Sequence, residues 1–255
     1  MSCYFSIIIP TCNASSTINT AVASVINQSF INFEIVIIDA VSSDDTLQIL
    51  NKYADNRIKI ICEKDKGVYD AMNKAVEIAE GEYLYFLGSD DFLYDNNVLQ
   101  NIFNFSKVNH SDVLYGSVIF SSNRSIYAGE FTLERLLFTQ NICHQAIFYN
   151  KECFKKLGNY NLKYYLLADW DFNIRCFMHP SFKINFIDTI IAVYNDSTGL
   201  SKDNGEADKI FMNISPHYRM RNLLAELSNI KFSKEYGLGR KIYNPLKKIQ
   251  KIFSK

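Results

Sequence analysis

The stretch DKGVYDAMNKAVEIAEGEYLYFLGSDD, residues 65–91, carries a helix, a turn and a buried strand in succession. Over 68–80, Ala71, Ala75, Ile78 and Ala79 recur at helical spacing, which predicts a helix with one small-residue face turned to a neighbouring layer. EYLYFLG (82–88) follows without polar alternation, the pattern of a strand covered on both faces. The strand ends on Ser89, Asp90 and Asp91, so two adjacent carboxylates stand where a hydrophobic strand surfaces.

The same unit repeats on either side. Upstream lie FSIIIP (5–10), a helical pattern at 16–28, FEIVIID (33–39), a second at 44–54 and RIKIIC (57–62); downstream lie a helical pattern at 95–107 and VLYGSVIF (113–120). Continuous apolar strands alternating with helices predict an α/β layered fold on a mostly parallel central sheet. Open sheets of this kind bind ligands beyond the carboxyl ends of their strands. That rule selects Pro10, Thr11 and Asn13 after the first strand, Asp39 after the second, residues 63–65 with Asp65 after the third, and Asp90 and Asp91 after the fourth. Asp, Asn and Ser also favour turns and helix caps. Four such strand ends together favour a ligand site over four separate turns.

Beyond residue 120 the alternation loosens. The pattern predicts a polar connection SSNRS (121–125), a strand near 125–131 and a short helix at 132–138. A strand-like HQAIFYN (144–150), a helix in LLADWDFNIRCF (166–177) with Asp169 near its start, and a strand in KINFIDTIIAVYN (183–195) follow, before the polar DSTGLS (196–201). No Pro-, Gly- or Ser-rich linker divides the halves, so one compact unit is expected.

Composition narrows the function. With 255 residues and 48% hydrophobic content the chain can build a sizeable core. Lys plus Arg and Asp plus Glu balance at 27 each, so no global field draws it to nucleic acid. The six cysteines form no C-x-x-C pair, which favours free thiols over a disulfide framework or a zinc site. No apolar run approaches the roughly 20 residues of a membrane span, and YFSIIIP lacks the length and basic flank of a signal sequence. A cytoplasmic location is therefore expected. G-x-G-x-x-G is missing after the first strand and G-x-x-x-x-G-K-[ST] is missing throughout, which argues against a standard dinucleotide oxidoreductase and a P-loop nucleotidase. An acidic site can still take a phosphorylated ligand through Mg²⁺ or Mn²⁺, which accept oxygen ligands from one or two carboxylates plus substrate phosphates.

In order along the chain, SIIIPTCN (6–13), NQSFINFEIVIIDAVSSDDT (27–46), residues 65–91, HQAIFYN (144–150) and ADWDFNIR (168–175) resemble the family 2 glycosyltransferases. The resemblance implies a Rossmann-like glycosyltransferase A fold and inverting sugar transfer from a nucleotide diphosphate donor, with Mn²⁺ or Mg²⁺. It implies a catalytic domain over 1–205, with a nucleotide-sugar half (1–120) and an acceptor half (121–205). Pro10, Thr11 and Asn13 would lie beside the nucleoside, Asp39 at the base and Asp65 near the base or diphosphate. Asp90 would approach the ribose, Asp91 would hold the metal, and Asp169 matches the family's general base. His144 and Gln145 would face the diphosphate or acceptor. Trp170 could stack on a sugar or belong to the core. Asp171 lies two residues after Asp169 and so on another face of the helix, which suits a structural role.

Three positions depart from the family's usual pattern: Ala40 where a second acid often follows Asp39, Gly88 two residues before Asp90, and Ala168 before Asp169. Family frequency points to a UDP-sugar donor of a hexose or N-acetylhexosamine. The implied acceptor is a lipid-linked saccharide of polysaccharide or O-antigen assembly. At the basic end YGLGRKIYNPLKKIQKIFSK (236–255), Leu246, Ile249 and Phe253 alternate with Lys247, Lys248 and Lys251. Within a helical extension over 206–255, this reads as an interfacial helix on the anionic inner face of the cell membrane, or as a solvated basic terminus. Two other readings compete. A nucleotidyltransferase making nucleotide sugars would want a Gly-rich basic loop, which PTCNASS (10–16) is not. A silent sugar-nucleotide-binding module would not need both Asp91 and Asp169.

Overall fold

The computed structural model describes residues 3–127 and 129–197, apart from the side chain of Phe138. The expected basic helical extension at 206–255, and DSTGLS beyond Ser197, lie outside the described residues.

The first half runs β1 (Phe5–Thr11), α1 (Ile18–Ile26), β2 (Phe33–Asp39), α2 (Thr46–Leu50), β3 (Ile58–Cys62), α3 (Val68–Ile78) and β4 (Tyr83–Phe86). These four strands pair in parallel in the order β3-β2-β1-β4. The chain continues through β5 (Phe92–Leu93), α4 (Val98–Asn109), β6 (Val113–Phe120), β7 (Ile126–Tyr127) and α5 (Leu133–Phe138). A 3-10 turn (His144–Ala146), β8 (Ile147–Asn150), α6 (Lys151–Leu157), α7 (Ala168–Met178) and β9 (Ile184–Tyr194) complete it. The sheet extends as β4-β8-β6-β9-β5, with β7 also on β6. The long pairings are parallel, including β6 with β9; the short ones to β8, β7 and β5 are antiparallel.

Side chains alternate across a strand, and here the alternation feeds two cores. Phe5, Ile7, Ile9, Ile35, Ile37 and Tyr85 face α1, α2 and α4. Ile8, Val36, Ile38, Leu84 and Phe86 face α3, α5, α6 and α7. Each fully buried aliphatic side chain contributes roughly 1.5–3 kcal/mol, so strands apolar on both faces hold three layers together. Among the described residues no helix is long and apolar enough to cross a membrane.

Several elements differ from the sequence expectation for identifiable reasons. The helix over 44–54 shrinks to α2, because the Asp44 carboxylate accepts from Ser15 N and Thr46 N and shapes a loop instead. The strand near 125–131 is only the two residues of β7. HQAIFYN spends its first three residues on the 3-10 turn. Helix α6 was hidden because it follows β8 with no loop between them; its start is capped by Asn150, whose side chain accepts from Glu152 N at 3.0 Å. On α3, Ala71 and Ala75 are buried as expected, but Ile78 is exposed and Tyr69, Met72 and Val76 complete the inner face.

Candidate active site

The carboxyl ends of β1 and β2 are stitched into one platform. Asp39 is fully buried: Oδ1 accepts from Ser42 N (2.8 Å), and Oδ2 accepts from Ser42 Oγ (2.5 Å). The Cys62 thiol donates to Oδ1 at 3.4 Å. Ser42 Oγ in turn accepts from Asn13 N, while Asn13 Oδ1 accepts from Ser43 N and Oγ. Ala14 N donates to Thr46 Oγ1 at 2.8 Å. Asn13 sits in the left-handed region at φ 49°, which Asn tolerates. Val41 does so at φ 62°, where a β-branched residue carries strain of about 1–3 kcal/mol.

Pro10 and Thr11 lie in register with Ile38 and Asp39, and the Thr11 hydroxyl donates to Ile9 O. Asp65 accepts from Gly67 N at 2.9 Å, just before α3 begins. Burial and then the charges of Asp39, Asp65 and Asp44 all raise the Cys12 thiol pKa.

The acid pair after β4 divides into two environments. Asp91 is 1% exposed; Oδ1 accepts from Asn195 N (2.7 Å) and Oδ2 accepts from the Gln145 side-chain amide. Burial foremost, opposed by the Asn195 N–H and reinforced by the Asp90 charge, pushes its carboxyl up to about 7. Asp90 is partly exposed and accepts from Asn195 Nδ2 at 3.3 Å. The two carboxylates, expected to serve a cation (Asp91) and a ribose (Asp90), thus stand in different surroundings. Asp91 is turned into protein donors and Asp90 is the carboxylate with access to solvent.

Gly88 is required by this arrangement. A Cβ there would overlap Asp91 Oδ2 and approach Asp90 Oδ1 to 3.2 Å. Gly88→Ala is expected to drive Asp91 off Gln145 and lower stability by about 1–3 kcal/mol, the range for overpacking or an unsatisfied buried polar group. Chemical denaturation measures it; an unchanged midpoint would show that Asp91 moves aside freely.

Asp169 lies in the first turn of α7 and is 5% exposed. The Tyr69 phenol donates to Oδ1 (2.6 Å) and the Asn141 amide to Oδ2 (2.7 Å). Burial lowers the His144 pKa, while the charges of Asp169 and Asp90 both oppose that. Its imidazole is therefore neutral at neutral pH. Gln145 is buried, bonded through its amide to Asp91 and through Oε1 to the Cys143 thiol. Trp170 packs against the α3-side core and donates its indole N–H to Leu136 O at 2.8 Å. Asp171 accepts from Arg175 Nε at 2.9 Å, one helical turn on, in keeping with a structural role.

Sequence reasoning missed Ser42, Tyr69, Asn141 and Asn195. Tyr69 carried a weak signal, being the one aromatic in the otherwise small-residue α3 motif; Asn195 closes a long apolar strand as the aspartates close β4. Neither position announces its partner.

No group of three His, Cys, Asp or Glu side chains among the described residues forms a self-contained metal cage. The accessible Asp90 carboxylate nevertheless supplies hard oxygen donors that suit Mg²⁺ or Mn²⁺ completing its shell from phosphates and water. The residues fit a cation shared with a phosphorylated ligand.

Comparison with known proteins identifies the family and the fold. Residues 6–183 match the family described as Glycosyl transferase family 2. A "PGL/p-HBAD biosynthesis glycosyltransferase" of Mycobacterium bovis (strain BCG / Pasteur 1173P2) is 45% identical over 216 residues, covering 83% of this chain and 84% of the relative. An Escherichia coli "UDP-Glc:alpha-D-GlcNAc-diphosphoundecaprenol beta-1,3-glucosyltransferase WfgD" is 35% identical over 147 residues, 57% of this chain and 53% of its own. Among solved structures, S. aureus TarS 1-349 in complex with UDP-GlcNAc superposes with a TM-score of 0.68 at 23% identity, over 98% of this chain and 79% of that one.

Proposed function

The chain belongs to glycosyl transferase family 2, and from that premise we propose that it moves a hexose or N-acetylhexosamine from a UDP-sugar to a hydroxyl of a lipid-linked saccharide, inverting the anomeric centre. The observation that carries the reading is the pair of acidic centres built by the fold: Asp91, held by Gln145 and Asn195 beside Asp90, and Asp169, held by Tyr69 and Asn141. The relatives support the choice of substrates. The E. coli relative is described as a transferase from UDP-Glc to a diphosphoundecaprenol-linked sugar, and the TarS structure holds UDP-GlcNAc.

The residues take the following roles. The stitched loops after β1 and β2, with Pro10, Thr11 and Asn13 on their rim, form the nucleoside platform that Asp39 shapes from beneath. Asp65 borders it. We assign the cation to Asp90, with Asp91 buttressing it through Asn195 and Gln145, which exchanges the roles expected from sequence. A Mn²⁺ or Mg²⁺ ion there would neutralise charge developing on the leaving diphosphate. On the other side Asp169 takes the proton of the attacking acceptor hydroxyl, a contribution typically of about 10²–10⁴-fold. Neutral His144 faces the diphosphate or acceptor in this reading. Trp170, with its N–H already engaged, serves as packing behind Asp169. The catalytic unit of this reading spans 1–205, and the basic end provides peripheral attachment to the inner membrane face, where such acceptors are assembled into surface polysaccharide or O-antigen.

The test is release of nucleoside diphosphate from a panel of UDP- and GDP-sugars with undecaprenyl-diphosphate-linked acceptors, with Mn²⁺ and with EDTA. The expected result is turnover of one UDP-hexose or UDP-N-acetylhexosamine that chelation abolishes. Turnover confined to GDP-sugars would overturn the donor assignment, and activity indifferent to EDTA would overturn the cation.

A further inference from the structure

We propose that Tyr69 and Asn141 are positioning residues for the base, holding Asp169 oriented through a one-way chain of neutral hydrogen-bond donors that starts on the central sheet. The inference rests on reading Asp169 as the general base.

The chain can be followed atom by atom. Tyr149 OH on β8 donates to Asn173 Oδ1 (2.6 Å); Asn173 Nδ2 donates to Asn141 Oδ1 (2.8 Å); Asn141 Nδ2 donates to Asp169 Oδ2 (2.7 Å). Each amide has its oxygen committed upstream, so its N–H₂ points toward Asp169. From α3, on the other side, the Tyr69 phenol lies 2.6 Å from Oδ1 and 2.9 Å from Leu166 O. Its single proton favours the charged acceptor, because charge-assisted bonds are the stronger. Each carboxylate oxygen has two lone pairs, so both keep capacity to receive the acceptor's proton.

What makes the donors decisive is that no counter-charge from Lys or Arg meets Asp169 among the described residues. The titratable groups that register its charge are Tyr69, Tyr127, Cys143, His144, Tyr149 and Tyr160. Burial raises the phenols and the thiol and lowers the imidazole, so all six are neutral at neutral pH. A carboxylate buried without a cation depends on hydrogen bonds to stay charged. Tyr69 and Asn141 supply them, one from each half of the chain.

The experiment compares full-length wild type, Tyr69→Phe, Asn141→Ala, the double variant and Asp169→Asn in two readouts. The first is ¹³C NMR titration of aspartate carboxyls, with the Asp169 signal assigned by its loss in Asp169→Asn. Removing a donor to the ionised form should move that titration to higher pH in each single variant and further in the double. The second is kcat, donor KM and the pH–rate profile. Each single variant should lose about 10- to 100-fold in kcat, as for a hydrogen bond to a charged group, with donor KM unchanged and the acid limb displaced to higher pH. An unmoved Asp169 titration overturns the proposal. A moved titration with unchanged kcat reduces the pair to a structural role. Retained activity in Asp169→Asn instead sinks the base assignment itself, and the NMR shift then reports only local chemistry.

Discussion

Asp169→Asn is expected to cut kcat by about 10²–10⁴-fold or more, the share a positioned general base contributes, with donor affinity unchanged. The substitution is close to isosteric, and the site can absorb it. Asparagine keeps one acceptor for the Asn141 amide, and the Tyr69 hydroxyl can reverse and accept from the new N–H₂. Folding should therefore lose no more than about 1 kcal/mol, one ordinary hydrogen bond. Calorimetry with UDP and steady-state kinetics separate the outcomes. If UDP binding falls with the rate, Asp169 acts on the donor side and the base must be sought elsewhere.

The second large effect concerns the cation. Asp90→Asn should raise the Mn²⁺ concentration needed for half-maximal activity by more than about tenfold and lower kcat/KM by roughly 10²–10³, as when charge stabilisation at a leaving group is removed. Asp91→Asn should respond to Mn²⁺ much as the wild type does. Its effect should fall on stability, because Asp91 is enclosed by Gln145 and Asn195 rather than open to the crevice. Activity titrations with Mn²⁺ and thermal unfolding of the two variants decide the matter. The reverse pattern, with Asp91→Asn losing the metal response, would restore the assignment expected from the sequence.

How much of this was legible follows from the range of each signal. Strands such as FEIVIID and the acids that end them are local patterns, so the α/β fold and the positions of Asp39, Asp65, Asp90, Asp91 and Asp169 could be read directly. Orientation could not. Asp90 and Asp91 are neighbours in sequence, and only Gln145, Asn195 and the Cβ-free space at Gly88 decide which carboxylate faces inward. Gly88 was a departure from the family's usual pattern; in the fold it is the gap that admits Asp91. Tyr69, despite its weak signal, and Asn141 went unread for a similar reason, since a tyrosine on an inner helix face ordinarily reads as core. Its partner Asp169 is a hundred positions away.

Helix α3 sets a limit on recombining this enzyme with its relatives. It begins three residues after Asp65, on the side proposed for the donor, and within its first turn reaches Asp169, the proposed base, through Tyr69. A hybrid joined near residue 120 would inherit that helix from one parent and the base from the other. Acceptor preference should therefore transplant only between parents that carry a matching hydroxyl at this position, and hybrids lacking it should fold, bind nucleotide and turn over poorly. The seam between the halves is thus a compatibility rule written on a single side chain.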